Sequence, residues 1–125
     1  MDVAFLSEDK NYLIQGISGL TLYENNHSQC MNDRLIFIKD IKDFFKKELD
    51  KKSAEIIEGK RNHTAHLDGD SLVHYFAIRF IKTKDFIVIS CIDIDPKDDS
   101  NGIDHMRADV YTSEYDYFLV NEAYK

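Results

Sequence analysis

Beyond its one long amphipathic stretch the hydrophobic spacing of this chain changes from helical to strand period, and that change limits the fold to a helix laid on a sheet. Leu35, Ile38, Ile41, Phe45 and Leu49 recur at three- and four-residue intervals. At about 100° per residue they share one face, which Phe37 and Phe44 widen. Lys39, Asp43, Lys46, Lys47 and Asp50 take the opposite face. Asn32 or Asp33 can cap such a helix, since a short polar side chain accepts from the unpaired amides of a first turn. The pattern predicts a helix over 33–51. Asp43–Lys47 and Glu48–Lys52 are its favourably oriented pairs, worth about 0.2–0.5 kcal/mol each.

Beyond Ser71 the period is two. Leu72, His74, Phe76, Ile78 and Phe80 point one way, and Val73, Tyr75, Ala77, Arg79 and Ile81 the other. A turn at 83–85 leads into 86–95, apolar on both faces as a central strand should be. After the loop 96–102, residues 103–112 and 115–121 read as a second hairpin. On its first strand Met106, Ala108 and Val110 face inward. His105, Arg107, Asp109 and Tyr111 face outward. On its second strand Phe118 and Val120 are expected inside. The chain opens with another hairpin, 3–6 and 12–17 around the polar 7–11, and 20–23 reads as a further short strand. Residues 53–58 fit a short helix stopped at Gly59 or a strand equally well, and 60–71 reads as a polar loop. The expected fold is α+β: an antiparallel sheet of four to six strands with one long amphipathic helix packed on one face. At 125 residues, with eight Phe and seven Tyr, the chain 1–125 reads as a single globular domain.

Charge is distributed unevenly. From Asp93 to Lys125 nine acidic residues face three basic ones, so this stretch carries −6 of the net −7. An acidic chain of this kind does not suit phosphate-backbone binding, which needs clustered Lys and Arg. Residues 1–6 lack a basic n-region, and the longest apolar run, 86–92, is far short of the roughly 20 residues of a membrane helix. Cys30 and Cys91 do not amount to a disulfide framework, so reduced thiols in a cytoplasmic protein are expected, with Cys91 a small buried side chain.

No catalytic motif matches the acidic stretch in clarity. His63, His66 and Asp68 are metal-ligand residue types at close spacing, enough for a small metal-dependent hydrolase. They lack the two-histidine, one-glutamate arrangement of a zinc protease helix and also read as a solvated loop. Residues 93–104 resemble a calcium loop superficially, but position six is Asp98 and position twelve Asp104, where that loop needs glycine and glutamate. His74 falls among core positions. His27 near Cys30 suggests a base beside a thiol, although no turn glycine or helix start frames that cysteine. No glycine loop for phosphates is present, and no cofactor is implied.

The remaining candidate is the acidic run interleaved with tyrosines, Asp109-Val-Tyr-Thr-Ser-Glu-Tyr-Asp-Tyr117. In size, charge and this run, the chain resembles the small acidic immunity proteins of bacterial toxin–immunity systems, contact-dependent growth inhibition above all. The resemblance implies a non-enzymatic inhibitor bound to one basic, nuclease-like toxin domain. Asp93, Asp95, Asp98, Asp99, Asp104, Asp109, Glu114 and Asp116 would complement toxin Lys and Arg, with Tyr111, Tyr115 and Tyr117 as anchors. A phage-type inhibitor that mimics nucleic acid would carry the same surface.

Overall fold

Asn26 accepts a hydrogen bond from the Gln29 amide at 3.1 Å, and this cap starts the principal helix six residues ahead of the position the hydrophobic pattern suggests. The computed structural model describes residues 2–4, 15–24 and 26–122, with only the backbone of Leu119 and Val120. In chain order its elements are β1 (Asp2–Ala4), β2 (Gly16–Leu22), α1 (His27–Phe44), α2 (Lys46–Asp50), β3 (Ala54–Asn62), β4 (Leu72–Phe80), β5 (Phe86–Asp93), β6 (His105–Tyr111) and α3 (Ser113–Asn121). The six strands form one antiparallel sheet in the order β1-β2-β6-β5-β4-β3. The fold is α+β, with α1 packed against one face.

The inward stripe of α1 is Cys30, Arg34 and Ile38, continued by the half-buried Ile41. Cys30 and Arg34 do not register as a hydrophobic repeat, which is why the first turns escape the periodicity. Leu35, Phe37 and Phe44 lie off this stripe and are exposed, contrary to expectation, Phe44 at 80%. The helix also breaks at Phe45, beyond which α2 runs separately. Phe45 and Leu49 still pack on the Ile38, Ala54, Phe76 and Ile78 cluster. The acid partner of Lys39 at 3.0 Å is Asp43, and that of Lys46 at 2.8 Å is Asp50, so the salt pairs differ from those expected.

β4 and β5 divide their faces as the period of two requires. Phe76, Ile78, Ile89 and Cys91 lie under the helix, and Val73, Ala77, Val88 and Ile92 form the other face. Segment 53–58, undecided in sequence, belongs to the nine-residue strand β3, which pairs with β4 from Ala54↔Phe80 to Asn62↔Leu72. Met106, Ala108 and Val110 share the helix face, but Ala108 and Val110 are exposed because α1 lies mainly over β5. Of the opening hairpin, β1 and β2 pair as expected, and β2 joins the two strands foreseen near 17 and 20 into one. The expected segments 5–6, 7–11 and 12–14 lie outside the described residues.

Two further expectations fail. Residues 115–121 form the helix α3, not a strand. Thr112 Oγ1 accepts from the Tyr115 amide at 3.2 Å, and Glu114 and Asp116 sit in the first turn, where acids suit the helix dipole. The apparent alternation Tyr115, Tyr117 masks the helical pair Tyr115–Phe118, whose rings stack at 6.3 Å. The cysteines are likewise not free thiols. Cys30 and Cys91 form a disulfide, with Cα atoms 6.0 Å apart, that ties the first turn of α1 to β5. No helix among the described residues is long and apolar enough to cross a membrane.

Candidate functional site

At the end of the sheet where β5 finishes and β6 begins, two loops, 63–71 and 94–104, are bound into one body by Asp98. Its Oδ2 accepts from the Asp70 amide at 2.9 Å, the Ser71 amide at 2.7 Å and Ser71 Oγ at 2.6 Å. Ser71 Oγ accepts in turn from the Asp95 amide at 2.9 Å and is fully buried. The Ser71 donors hold the Asp98 carboxyl below the usual carboxylate range. Gly69 is required at this contact, because a Cβ there would run into the Asp98 carboxylate.

Around this lock the loops gather Asp68, Asp70, Asp93, Asp95, Asp99 and Asp104. Asp68, Asp70 and Asp99 are exposed, whereas Asp93, Asp95 and Asp104 are half-buried. Asp95 accepts from the Lys97 amide and Asp104 from the Ile94 amide, so both help shape the loop. Two apolar side chains stand out among the acids, Leu67 at 67% and Ile103 at 39% exposure. Of the acids and tyrosines expected on one surface, Asp93, Asp95, Asp98, Asp99 and Asp104 belong to this loop pair and its borders. Leu67 and Asp70 were not among them, and Asp68 was named only as a metal ligand, because nothing local says that the second loop folds back onto the first.

The other candidates lie at the far end of β6, seven residues and about 20 Å away. Asp109 is buried on the face opposite α1, accepting from Ser18 Oγ and, at 3.2 Å, from Arg107. Tyr111 packs edge-on to Phe86 at 5.1 Å and to Tyr115 at 6.1 Å. Burial first, then the nearby Asp109 and Asp116, push its phenol up to about 12. Tyr115 lies against Gly16, where a Cβ would come within 3.2 Å of its ring. Burial raises the Asp116 carboxyl. Glu114 and Tyr117 are exposed on α3. The acid and tyrosine candidates therefore divide into a loop group and a helix group and do not form one platform.

Between these ends the sheet face opposite α1 forms a cleft of about 990 Å3. Its floor is Val73, Ala77, Val88 and Ile92, and Arg61, Arg107, Asp109 and Asp116 are among the charges that line it. Among the described residues no hydroxyl or thiol is hydrogen-bonded to a histidine. His63 Nδ1 accepts from the Ala65 amide, and His105 Nδ1 lies 2.8 Å from the Ile103 carbonyl.

The alternative metal set does not assemble. The His63 and His66 rings are neighbours, with centroids 5.6 Å apart, but among the described residues Asp68 does not complete a three-ligand group with them. Burial first, then His66 and the guanidinium of Arg61, lower the His63 imidazole. The group of three that does converge is His27, Asp93 and Asp104, whose ligand atoms all lie within 4.8 Å of one another. A helix start does frame Cys30 beside His27, but its sulfur is held in the disulfide and is no nucleophile. His74 lies over α1, its ring 5.2 Å from that of His27, and burial lowers its imidazole.

Comparison with protein-family models, curated proteins and solved structures found no match.

Proposed function

We propose that this protein is a stoichiometric binder that covers and neutralises a basic protein domain, as an immunity protein does its toxin. Its docking surface is the double loop 63–71 and 94–104. The observation that carries this role is that the two loops bearing exposed Asp68, Asp70 and Asp99 and exposed Leu67 and Ile103 are tied to each other by the Asp98–Ser71 hydrogen bonds. Acids of one sign steer a basic partner, apolar side chains supply contact area, and a preformed loop spends little entropy on ordering. Tyr111 and Tyr115 serve packing in this role and do not anchor the partner. A compartment in which thiols are not kept reduced would suit the Cys30–Cys91 disulfide, whereas the sequence alone suggested the cytoplasm.

The test changes Asp68, Asp70 and Asp99 together to Lys and measures affinity for a basic protein captured from the source cells by the unaltered chain. Loss of about 100-fold or more is expected, chiefly through slower association at low salt. A control carrying Glu114→Lys and Tyr117→Ala, at the far end, should bind normally. Unchanged affinity in the triple variant would sink the docking surface, and loss in the control alone would move it to α3.

A further inference from the structure

We infer that His27, Asp93 and Asp104 form a binding site for one divalent transition-metal cation, held ready by the Cys30–Cys91 disulfide. The ligands come from the start of α1 and from both ends of the β5–β6 loop. His27 is the first residue of α1, Asp93 the last of β5, and Asp104 immediately precedes β6. Their ligand atoms all lie within 4.8 Å of one another. Ligands bound to one ion at about 2.0–2.2 Å stand roughly 3–4 Å apart, so small side-chain rotations close the set.

Two independent features point to a cation. His27 Nδ1 is sealed from solvent and has no hydrogen-bond partner, a costly state for a ring nitrogen that has neither water nor protein to bond. Asp104 is oriented as a ligand usually is. Its Oδ1 takes the Ile94 amide at 2.9 Å, its carbonyl takes the Tyr23 amide at 2.8 Å, and Oδ2 remains for an ion. No hydrogen bond or ion pair of the Asp93 carboxylate competes among the described residues. A cation would also relieve the juxtaposition of the two carboxylates.

The disulfide sets the approach. Cys30 follows His27 by three residues on the first turn of α1, and Cys91 precedes Asp93 by two on the same face of β5. Cross-linking the cysteines thus brings imidazole and carboxylate together from elements otherwise joined only by packing. One imidazole with two carboxylates suits zinc or manganese, with zinc the tighter of the two, and leaves a coordination position for water. Calcium, which wants six to eight oxygens, fits poorly.

The site goes beyond the docking role and does not depend on it, since its ligands are half-buried and exclude the exposed Asp68, Asp70 and Asp99. Titration needs no partner protein, so either proposal can fail alone. Oxidised protein dialysed against chelator and then titrated with zinc chloride by calorimetry should bind one ion per chain. Asp93→Asn, Asp104→Asn and His27→Ala should each weaken binding roughly tenfold or more, while His63→Ala with His66→Ala leaves it unchanged. Manganese added to the unaltered protein should broaden NMR signals of Tyr23, His27, Ile94 and Asp104, a readout that stands even if a variant fails to fold. The site is overturned if zinc does not bind, if binding survives Asp104→Asn, or if broadening centres on the 63–71 loop.

Discussion

The two ends of β6 carry similar residues and use them differently. At the His105 end, aspartates sit on loops with no regular structure of their own, and part of their charge is consumed in holding those loops. Asp98 bonds Ser71, Asp95 bonds the Lys97 amide, and Asp104 bonds the Ile94 amide. At the Tyr111 end, α3 supplies its own backbone hydrogen bonds. Its acids and tyrosines either pack on the sheet or face solvent. Acidic composition therefore predicts neither exposure nor role. A carboxylate beside free amides is drawn into the backbone, whereas one on a helix facing a sheet is desolvated.

The largest way to disturb this contrast is to open the disulfide. Replacing Cys30 and Cys91 by Ala frees a 61-residue separation, and loop-closure entropy sets the loss at about 4 kcal/mol. A fall in Tm on the order of 10–20 °C should follow. Hydrogen exchange should rise most at the first turn of α1 and near Asp93, and uniform acceleration at both ends would erase the distinction. A smaller blow falls on the opposite end. Gly16→Ala pushes a methyl against the Tyr115 ring and should cost about 1–3 kcal/mol, with near-UV change from the tyrosines and little effect on the 94–104 loop.

The smallest effect separates the ends by sign. Asp98 has a depressed folded-state value, so its contribution is present above the ordinary 3.8 and is lost as pH falls through the lower folded value. Asp116 is raised. Its ionised form therefore opposes folding at neutral pH, and that opposition disappears as pH drops below 3.8. Asp98→Asn should lower stability at pH 7 and flatten the acid limb, while Asp116→Asn should raise stability at pH 7. Denaturant midpoints at pH 3 and pH 7 decide the matter, and shifts of the same sign in both variants would contradict the assignment.

Legibility followed the range of the interaction that decides each element. β4 and β5 were readable because alternation and apolar runs are local, and the sheet supports both. The start of α1 was not readable, because its inward positions are Cys30 and Arg34, which carry no hydrophobic period. α3 was misread because Tyr115, Tyr117 and the apolar residues after them mimic a strand. The Thr112 cap, with Glu114 and Asp116 in the turn it opens, was the local signal that could have corrected it. Of the candidate site, the aspartates between 93 and 104 were visible as one short stretch. Leu67, Asp68 and Asp70 were not, nor was the pairing of His27 with Asp93.

By itself the sequence determined the class of fold, the central strand and the place of the negative charge, since period and composition act along the chain. Tertiary structure alone decided which acids meet. A hydrogen bond from Ser71 to Asp98, and a sulfur bridge from Cys30 to Cys91, join residues 27 and 61 positions apart, and no local preference encodes that closure.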